Sequence, residues 1–457
     1  MFQLQKKLIY GCCLFLMLTN VVIAAVNEVK PQLDQTIALN SFIHSIDQKQ
    51  LQALPKNKNS LVYRQKLNHL INKQLNQFAG YNYQWICKLA PNGKELLDNK
   101  NVTQYQVICN GQWPNKANLN KLLQLMFKEK PNINNIKLHF VIANVNDVTV
   151  KPVIAKYGNY NFKDKSFDCS KYPYCQQSLL QMTNVYNQQN PKHKAYAVIN
   201  GSYFYRYSPT GVFYDMNCIW KSFDQIILSS RGSNIKLNTK MIGDGLTIID
   251  SKVYASNCAT YALNEVNGFG ISTLQISSPQ RATFVISRDI NNHKIIEIKN
   301  MSVGEEKTSP NIIQALGAGP MLMQQGAYQL QWQDIPGTFQ YSANPGLAIV
   351  SNKHNHNDRK IVFFSVDGNN WQNGMFSFEL ANLINELLSG KVNVSGLEKK
   401  QLELDYNVIS MMALDRGGST AMITCKNGSD CKKITNAGEG LDQKGRRIFN
   451  GLAITMK

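Results

Sequence analysis

The chain has 457 residues, 43% of them hydrophobic, and carries 49 Lys and Arg against 30 Asp and Glu, a formal charge of +19. That length exceeds one typical domain, and the positive balance favours anionic neighbours such as phosphorylated glycans, anionic lipids or nucleic acid without choosing among them. The basic residues are scattered rather than gathered in one tract and no nucleic-acid motif occurs, so nucleic acid is not an expected partner.

At the N-terminus, Lys6 and Lys7 precede an apolar run from Leu8 to Ile23 that ends in Ala24 and Ala25. This is the layout of a cleavable secretory signal over residues 1–24. The alternative is a single membrane anchor, but the run is short of the roughly 20 residues a spanning helix needs. Few apolar residues precede Cys12 and Cys13, which argues against a lipid-modified cysteine. No later segment is apolar for long enough to span a bilayer, so the mature chain is expected to be soluble, secreted or periplasmic.

Ten cysteines are present. Those beyond the signal, Cys87, Cys109, Cys169, Cys175, Cys218, Cys258, Cys425 and Cys431, are even in number, which in an exported chain argues for disulfides. Cys425 and Cys431 flank the Asn427-Gly428 turn signal, so a disulfide across a hairpin is expected there. No Cys-x-x-Cys pair and no histidine at ligand spacing supports metal binding by these cysteines.

Residues 25–135 are rich in Lys, Asn, Gln and Leu, with helical spacing in Leu61–Phe78 and Leu119–Phe127. They read as a mainly helical N-terminal accessory region, in which Tyr81, Tyr83, Trp85 and the Cys87/Cys109 pair suggest a small packed element. From 136 to 457 the pattern changes to short β-rich runs: Leu138–Ala143, Thr149–Ile154, Ala195–Ile199, Thr283–Ile286, Gly346–Val350 and Ile361–Val366. Leu380, Leu383, Ile384, Leu387 and Leu388 then phase one apolar helix face, with Ser377 as its candidate N-cap and Gly390 beyond its end. Another strand follows at Ile409–Leu414. The expected fold is α/β or α+β, a mixed β-sheet core with flanking helices. A strand-helix-strand order usually sets its two strands parallel, so Asp367 and Asp415, each directly after a strand, should emerge at the same sheet edge, where such sheets bind ligands.

Five segments place a polar side chain beside glycine after an apolar strand: Asn200-Gly201-Ser202-Tyr203-Phe204, Gly317-Ala318-Gly319-Pro320-Met321-Leu322, Val366-Asp367-Gly368, Leu414-Asp415-Arg416-Gly417-Gly418-Ser419-Thr420, and Arg446 to Asn450. Singly, each is an ordinary turn. Their order and wording, with Gly374-Met375 and Glu379-Leu380-Ala381, resemble the phosphodiester glycosidase family over roughly residues 138–457. Three departures stand out: Arg416 and Ser202 each replace a family glycine, and Asn344-Pro345-Gly346-Leu347-Ala348 lacks an arginine the family carries in that strand. Arg416 would restore the lost cation from a neighbouring loop.

The resemblance implies an exported hydrolase that cleaves between an anomeric sugar carbon and a phosphate in a glycosyl phosphodiester. Such a reaction needs a carboxylate near the developing oxocarbenium charge and donors for the departing phosphate. Asp415 is the expected catalytic carboxylate, with Asp367 as partner acid/base or as a metal ligand. The backbone at Gly417 and Gly418, with the hydroxyls of Ser419 and Thr420, would cradle phosphate oxygens. Asn200 and Asn450 would orient sugar hydroxyls or the carboxylates, and Arg447 is a further phosphate candidate. No cofactor is required by the sequence, although a divalent cation is compatible with the acidic pair. The alternative is a catalytically inactive phosphoglycan-binding protein of the same fold. His354, His356 and Asp358 sit in a polar stretch between strands and read as a solvated hairpin, Tyr203, Phe204, Tyr205 and Tyr207 suit either core packing or a sugar ring, and the oligomeric state leaves no sequence signal.

Overall fold

In the computed structural model the alternating runs become strands whose pairing is almost wholly antiparallel. The structure describes most of residues 83–112, 133–154, 177–206, 241–255, 280–329, 343–395, 404–437 and 447–457, with short pieces between 48 and 77 and at 213–214, 220–221, 260–262 and 275–277. The chain divides into two units, residues 1–71 with 115–131, and residues 72–114 with 132–457. Described structure in the first is helix α1 (Gln48–Gln52) and helical positions between 62 and 70.

The second unit contains, in chain order, β1 (Gln84–Leu96), β2 (Val102–Gln112), β3 (Ile136–Asn144), β4 (Val148–Ile154), α2 (Leu179–Gln189) and β5 (Ala195–Asn200). Then come β6 (Thr247–Ile249), β7 (Gln280–Arg288), β8 (Lys294–Ser302), β9 (Ile312–Gly317), β10 (Met321–Gln324), β11 (Asn344–Asn352) and β12 (Arg359–Val366). Helix α3 (Ser377–Leu388), β13 (Tyr406–Ala413), β14 (Met422–Lys426), β15 (Asp430–Lys433) and β16 (Asn450–Met456) complete it, with several two- to four-residue strands between.

A nine-stranded sheet runs β10, β13, β11, β12, β3, β2, β1 between the short edge strands Ala327–Tyr328 and Val394–Ser395. A five-stranded sheet runs β15, β14, β5, β16, β4, and another runs from Lys252–Ala255 through β6, β9 and β7 to β8. One face of the nine-stranded sheet, with Val141, Leu347, Phe363 and Met412, shares a core with Ile199, Leu452 and Ile454 of the second sheet and Phe284 and Leu316 of the third. The period-two alternation of strand side chains makes this possible, each strand giving one row to the shared interior. Helix α2 covers the outer side of the second sheet through Leu179, Met182 and Tyr186. Helix α3 lies at the other face of the nine-stranded sheet, where Asn344 Nδ2 donates to the Met375 carbonyl (2.5 Å) and Trp85 Nε1 donates to Asn382 Oδ1 (2.9 Å).

β3 and β4 belong to different sheets and are joined only by the corner Val145–Asp147. There the Asp147 N–H donates to the Asn144 carbonyl (3.1 Å) and the Asn146 N–H to Asn144 Oδ1 (2.9 Å). Asn side chains make such local turns readily.

The mixed sheet is present, but the α/β expectation is corrected towards a mostly β architecture. Among the described strand pairs only β1 with Val394–Ser395 is parallel; hairpins such as β7–β8 and β11–β12 join neighbours directly and need no crossover helix. The mainly helical N-terminal region is likewise not supported. Residues 84–112, expected within it, form a β-hairpin because Trp85 and Cys87 face inward while Gln84, Ile86 and Lys88 face out. A Cys87–Cys109 disulfide ties the two strands, and β2 pairs with β3. Described positions within Leu61–Phe78 are helical; Leu119–Phe127, the residues 1–24 expected as a signal, and Cys169, Cys175, Cys218 and Cys258 lie outside the described residues. The Cys425–Cys431 disulfide bridges β14 and β15 as expected. His354 is exposed in the turn between β11 and β12. No described helix is long and apolar enough to cross a membrane.

Replacing Trp85 by Phe keeps an aromatic ring but removes the pyrrole half of the indole and with it the N–H that reaches Asn382 Oδ1, and losing that buried bond costs about 1–3 kcal/mol. Thermal unfolding of Trp85→Phe should therefore start at lower temperature than that of the parent protein, and an unchanged midpoint would contradict the role given to this bond.

Candidate active site

β12 and β13 both lie antiparallel to β11, one on each side of it, so they run in the same direction. Asp367 and Asp415 therefore leave the nine-stranded sheet at the same edge, as the strand-helix-strand order implied. Asn344, which opens β11, lies at that edge between them.

Asp415 is held from the second sheet. Its N–H donates to the Gly201 carbonyl (2.9 Å), and Asn200 Nδ2 donates to its carbonyl oxygen (2.5 Å). Asn200 Oδ1 accepts from the Ala421 N–H (3.0 Å), so one fully buried amide closes both ends of the 415–421 loop. Beside it, Asn450 Oδ1 accepts from the Ser202 N–H (2.7 Å) and hydroxyl (3.0 Å), while its Nδ2 donates to Thr247 Oγ1 (2.8 Å). Gly201 is required between these groups, since a Cβ there would come within 2.2 Å of Asn450 Oδ1. Asn200 and Asn450 thus spend their amides on the protein itself and act as braces. The Gly317–Leu322 segment approaches the same place: the Gly317 N–H donates to the Leu246 carbonyl, the Gly319 N–H to the Ala413 carbonyl, and the Ala413 N–H to the Pro320 carbonyl.

On the other side, Arg416 Nη1 donates to Ser377 Oγ (3.2 Å) at the first turn of α3, with the arginine only 7% exposed. Ser377 is not the N-cap expected for it; Phe376 takes that position, and its N–H donates to Glu379 Oε2 (3.1 Å). A guanidinium beside a helix N-terminus puts two positive poles together, an arrangement that an anion relieves. Glu379 is wholly buried, and its other oxygen, Oε1, has no hydrogen-bond partner. Burial pushes this carboxyl up from its ordinary 4.5 to about 8, partly offset by the Phe376 N–H. Asn344 Oδ1 is buried without a hydrogen-bond partner among the described residues, while Nδ2 of the same amide donates to the Met375 carbonyl.

Asp367 has a different setting. Its Oδ1 accepts from the Asn436 N–H (2.8 Å) and lies 3.1 Å from Nε2 of His139, and its side chain remains 18% exposed. Its backbone N–H donates to the Lys137 carbonyl and that of Gly368 to the Asn436 carbonyl, which fastens the loop after β15 across this corner.

Among the expected site residues, Asp415, Arg416, Asn200 and Asn450 are brought to one edge by these bonds. Ser419 is buried, and the Thr420 hydroxyl donates to the Ala343 carbonyl (3.1 Å). Arg447 lies in the two-residue strand Arg447–Ile448, paired with Ser178, and its side chain is outside the described residues, as are Gly417 and Gly418. Ser202 and Ser377 were named from the sequence as a glycine replacement and a helix cap rather than as site residues, and His139 and Thr247 were not named. Of those two, His139 alone left a trace there, an ionisable residue inside the apolar run Leu138–Ala143. Among the described residues no three His, Cys, Asp or Glu side chains gather as a metal site.

Residues 193–455 match the family model described as phosphodiester glycosidase. No curated protein sequence matches the chain. Among solved structures it is similar to the zebrafish N-acetylglucosamine-1-phosphodiester alpha-N-acetylglucosaminidase catalytic domain auto-inhibited by its pro-peptide, at 13% identity over 82% of this chain and 88% of that one, TM-score 0.40. It is also similar to a hypothetical protein from Synechocystis (11% identity, 82% and 68%, TM-score 0.35) and to a protein from Burkholderia pseudomallei K96243 (8%, 82% and 97%, TM-score 0.41).

Glu379 makes stability depend on pH. The unfolded chain releases this proton near 4.5, whereas the folded chain keeps it to about 8, so folding retains an extra proton across that window and stability falls as pH rises through it. In urea unfolding, Glu379→Gln should match the parent below that window and exceed it at pH 8; equal loss at both ends would show that the carboxyl is not protonated in the folded protein.

Proposed function

We propose that this chain, which belongs to the phosphodiester glycosidase family, hydrolyses the bond between an anomeric carbon and a phosphate oxygen in a glycosyl phosphodiester. Water adds to the sugar, the carbon–oxygen bond breaks, and the phosphate leaves as a monoester. The observation that carries this reading is the pair Asp415 and Arg416: consecutive residues, both buried, one braced by Asn200 and Gly201 and the other set against the start of α3.

A phosphate monoester is a stable anion and leaves without needing a strong acid. The demand is instead for negative charge beside the oxocarbenium-like sugar and positive charge beside the phosphate. Asp415 meets the first and Arg416, with the N-terminus of α3, meets the second. Asn200 and Asn450 fix the loops rather than reach the sugar, as does Thr420, whose hydroxyl donates to the Ala343 carbonyl; Gly417, Gly418, Ser419 and Arg447 are assigned to the phosphate side. Asp367 serves as partner acid or base. Its Oδ1 already faces an N–H donor and an imidazole, groups that compete with a cation, which favours this role over metal ligation.

The substrate class is a phosphorylated glycan or similar glycosyl phosphodiester. The two described disulfides suit a secreted or periplasmic setting, with residues 1–24 as the export signal. The second reading, a phosphoglycan-binding protein without turnover, draws on Arg416 filling a position that is glycine in the family signature.

The two readings separate on sugar-1-phosphate nitrophenyl diesters. Cleavage at the anomeric carbon releases reducing sugar and nitrophenyl phosphate, whereas cleavage at phosphorus releases nitrophenol. Asp415→Asn should lower kcat by about 10²- to 10⁴-fold, and Arg416→Gly should raise KM by about 10- to 100-fold, the worth of one charged hydrogen bond. Saturable binding with no sugar released by the parent protein would favour the binding module, and an Arg416→Gly enzyme with unchanged kinetics would remove Arg416 from the phosphate side.

A further inference from the structure

His139 belongs to β3, upstream of the residues matched by the family model. It is 2% exposed in a strand otherwise filled by Leu138, Phe140, Val141 and Ile142. Across the sheet it faces Ser365 of β12 on one side and Gln106 of β2 on the other. Its parity is that of Val141 and Phe363, so the ring points into the space between sheets.

An imidazole in that place is costly unless something holds it. Burying a polar group without a hydrogen bond is unfavourable, because the water it gives up is not replaced. Among the described residues neither ring nitrogen of His139 has an aligned hydrogen-bond partner, and the neighbouring Ser365 hydroxyl has none either. The close polar contact is the 3.1 Å approach of Nε2 to Asp367 Oδ1, within ion-pair range though not aligned as a hydrogen bond. Asp367 stands two residues beyond Ser365 on the same strand line, the diagonal neighbour of His139 in an antiparallel pair. The Asn436 N–H reaches the same oxygen, so both contacts fall on Oδ1.

We infer that His139 is a positioning residue for Asp367, holding Oδ1 from inside the sheet with the Asn436 N–H while Oδ2 works towards the substrate. The inference rests on the role proposed above for Asp367. With the Nε2 hydrogen turned to Oδ1, the ring fixes one of the two torsions that would let the carboxylate swing. Orientation of this kind acts on the chemical step more than on ground-state binding. A histidine that only fills space would make no distinction between those two.

The test is a double-mutant cycle on the full chain with a sugar-1-phosphate nitrophenyl diester, reading released sugar. His139→Leu, apolar and of similar bulk, should lower kcat about 10- to 100-fold with KM within about twofold. His139→Gln, which offers an N–H in the same direction, should recover a large part of that loss. In an Asp367→Asn background, His139→Leu should cost little more, because the oxygen it held no longer serves. Equal losses in both backgrounds, a change confined to KM, or a fully active His139→Leu enzyme would each overturn the inference. Should the leucine variant fail to fold, the glutamine variant carries the same cycle, and additivity there overturns it equally. An Asp367→Asn enzyme with parental kcat refutes the role proposed for Asp367, whereas a slowed but measurable Asp367→Asn with an additive cycle refutes only the part given to His139.

Discussion

One buried amide connects the two halves of the site. Asn200 ends a strand of the second sheet and donates from Nδ2 to the carbonyl of Asp415, at the end of a strand in the first, while its Oδ1 accepts from Ala421. A side chain that makes both bonds with no exposure to water cannot be exchanged for one lacking a donor or an acceptor. The bonds of Arg416 to Ser377 and of Thr420 to Ala343 lie between the two ends that this amide fixes.

The edge itself follows from sheet geometry. β11 lies between β12 and β13 and opposes both, so its first residue and their last ones share one end of the sheet. Asp367, Asn344 and Asp415 converge there without any parallel neighbour pair. A helix between β12 and β13 was sufficient to return the chain in the same direction, although the interposed strand makes the sheet antiparallel locally. Sequence order therefore determined direction but not adjacency.

What could be read beforehand was what periodicity and turn chemistry encode. The runs Leu138–Ala143, Ile361–Val366 and Ile409–Leu414 appear as strands, the apolar face of 380–388 as a helix, and Cys425–Cys431 as a bridged hairpin. The helix Leu179–Gln189 escaped because its Asn and Gln residues dilute the apolar stripe; its clearest mark was local, the reciprocal Ser178 and Gln181 capping bonds. The hairpin at 84–112 was hidden by a helical-looking flank, and its strand alternation pays off only once β3 supplies a third strand. Within the site, acidic residues beside glycine were visible, whereas His139 and the bond that Ser377 receives from Arg416 were not. Ser377 takes its significance from Arg416, 39 residues on, and His139 from Asp367 beyond the neighbouring strand, pairings that a one-dimensional pattern does not contain.

The Val145–Asp147 corner sits at the far end of both sheets from the site: Asn144 ends β3 away from His139, and β4 runs from Val148 to Ile154, which pairs with Asn450. Covalent chain therefore joins the two sheets at both ends, through the Val145–Asp147 corner at one and through the 415–421 loop, which leads from β13 to β14, at the site. A loop tethered to a different sheet at each end moves only as far as those sheets allow. The hydrogen bonds with Asn200 and Gly201, about a kilocalorie each, thus set where Asp415 stands rather than hold the sheets together.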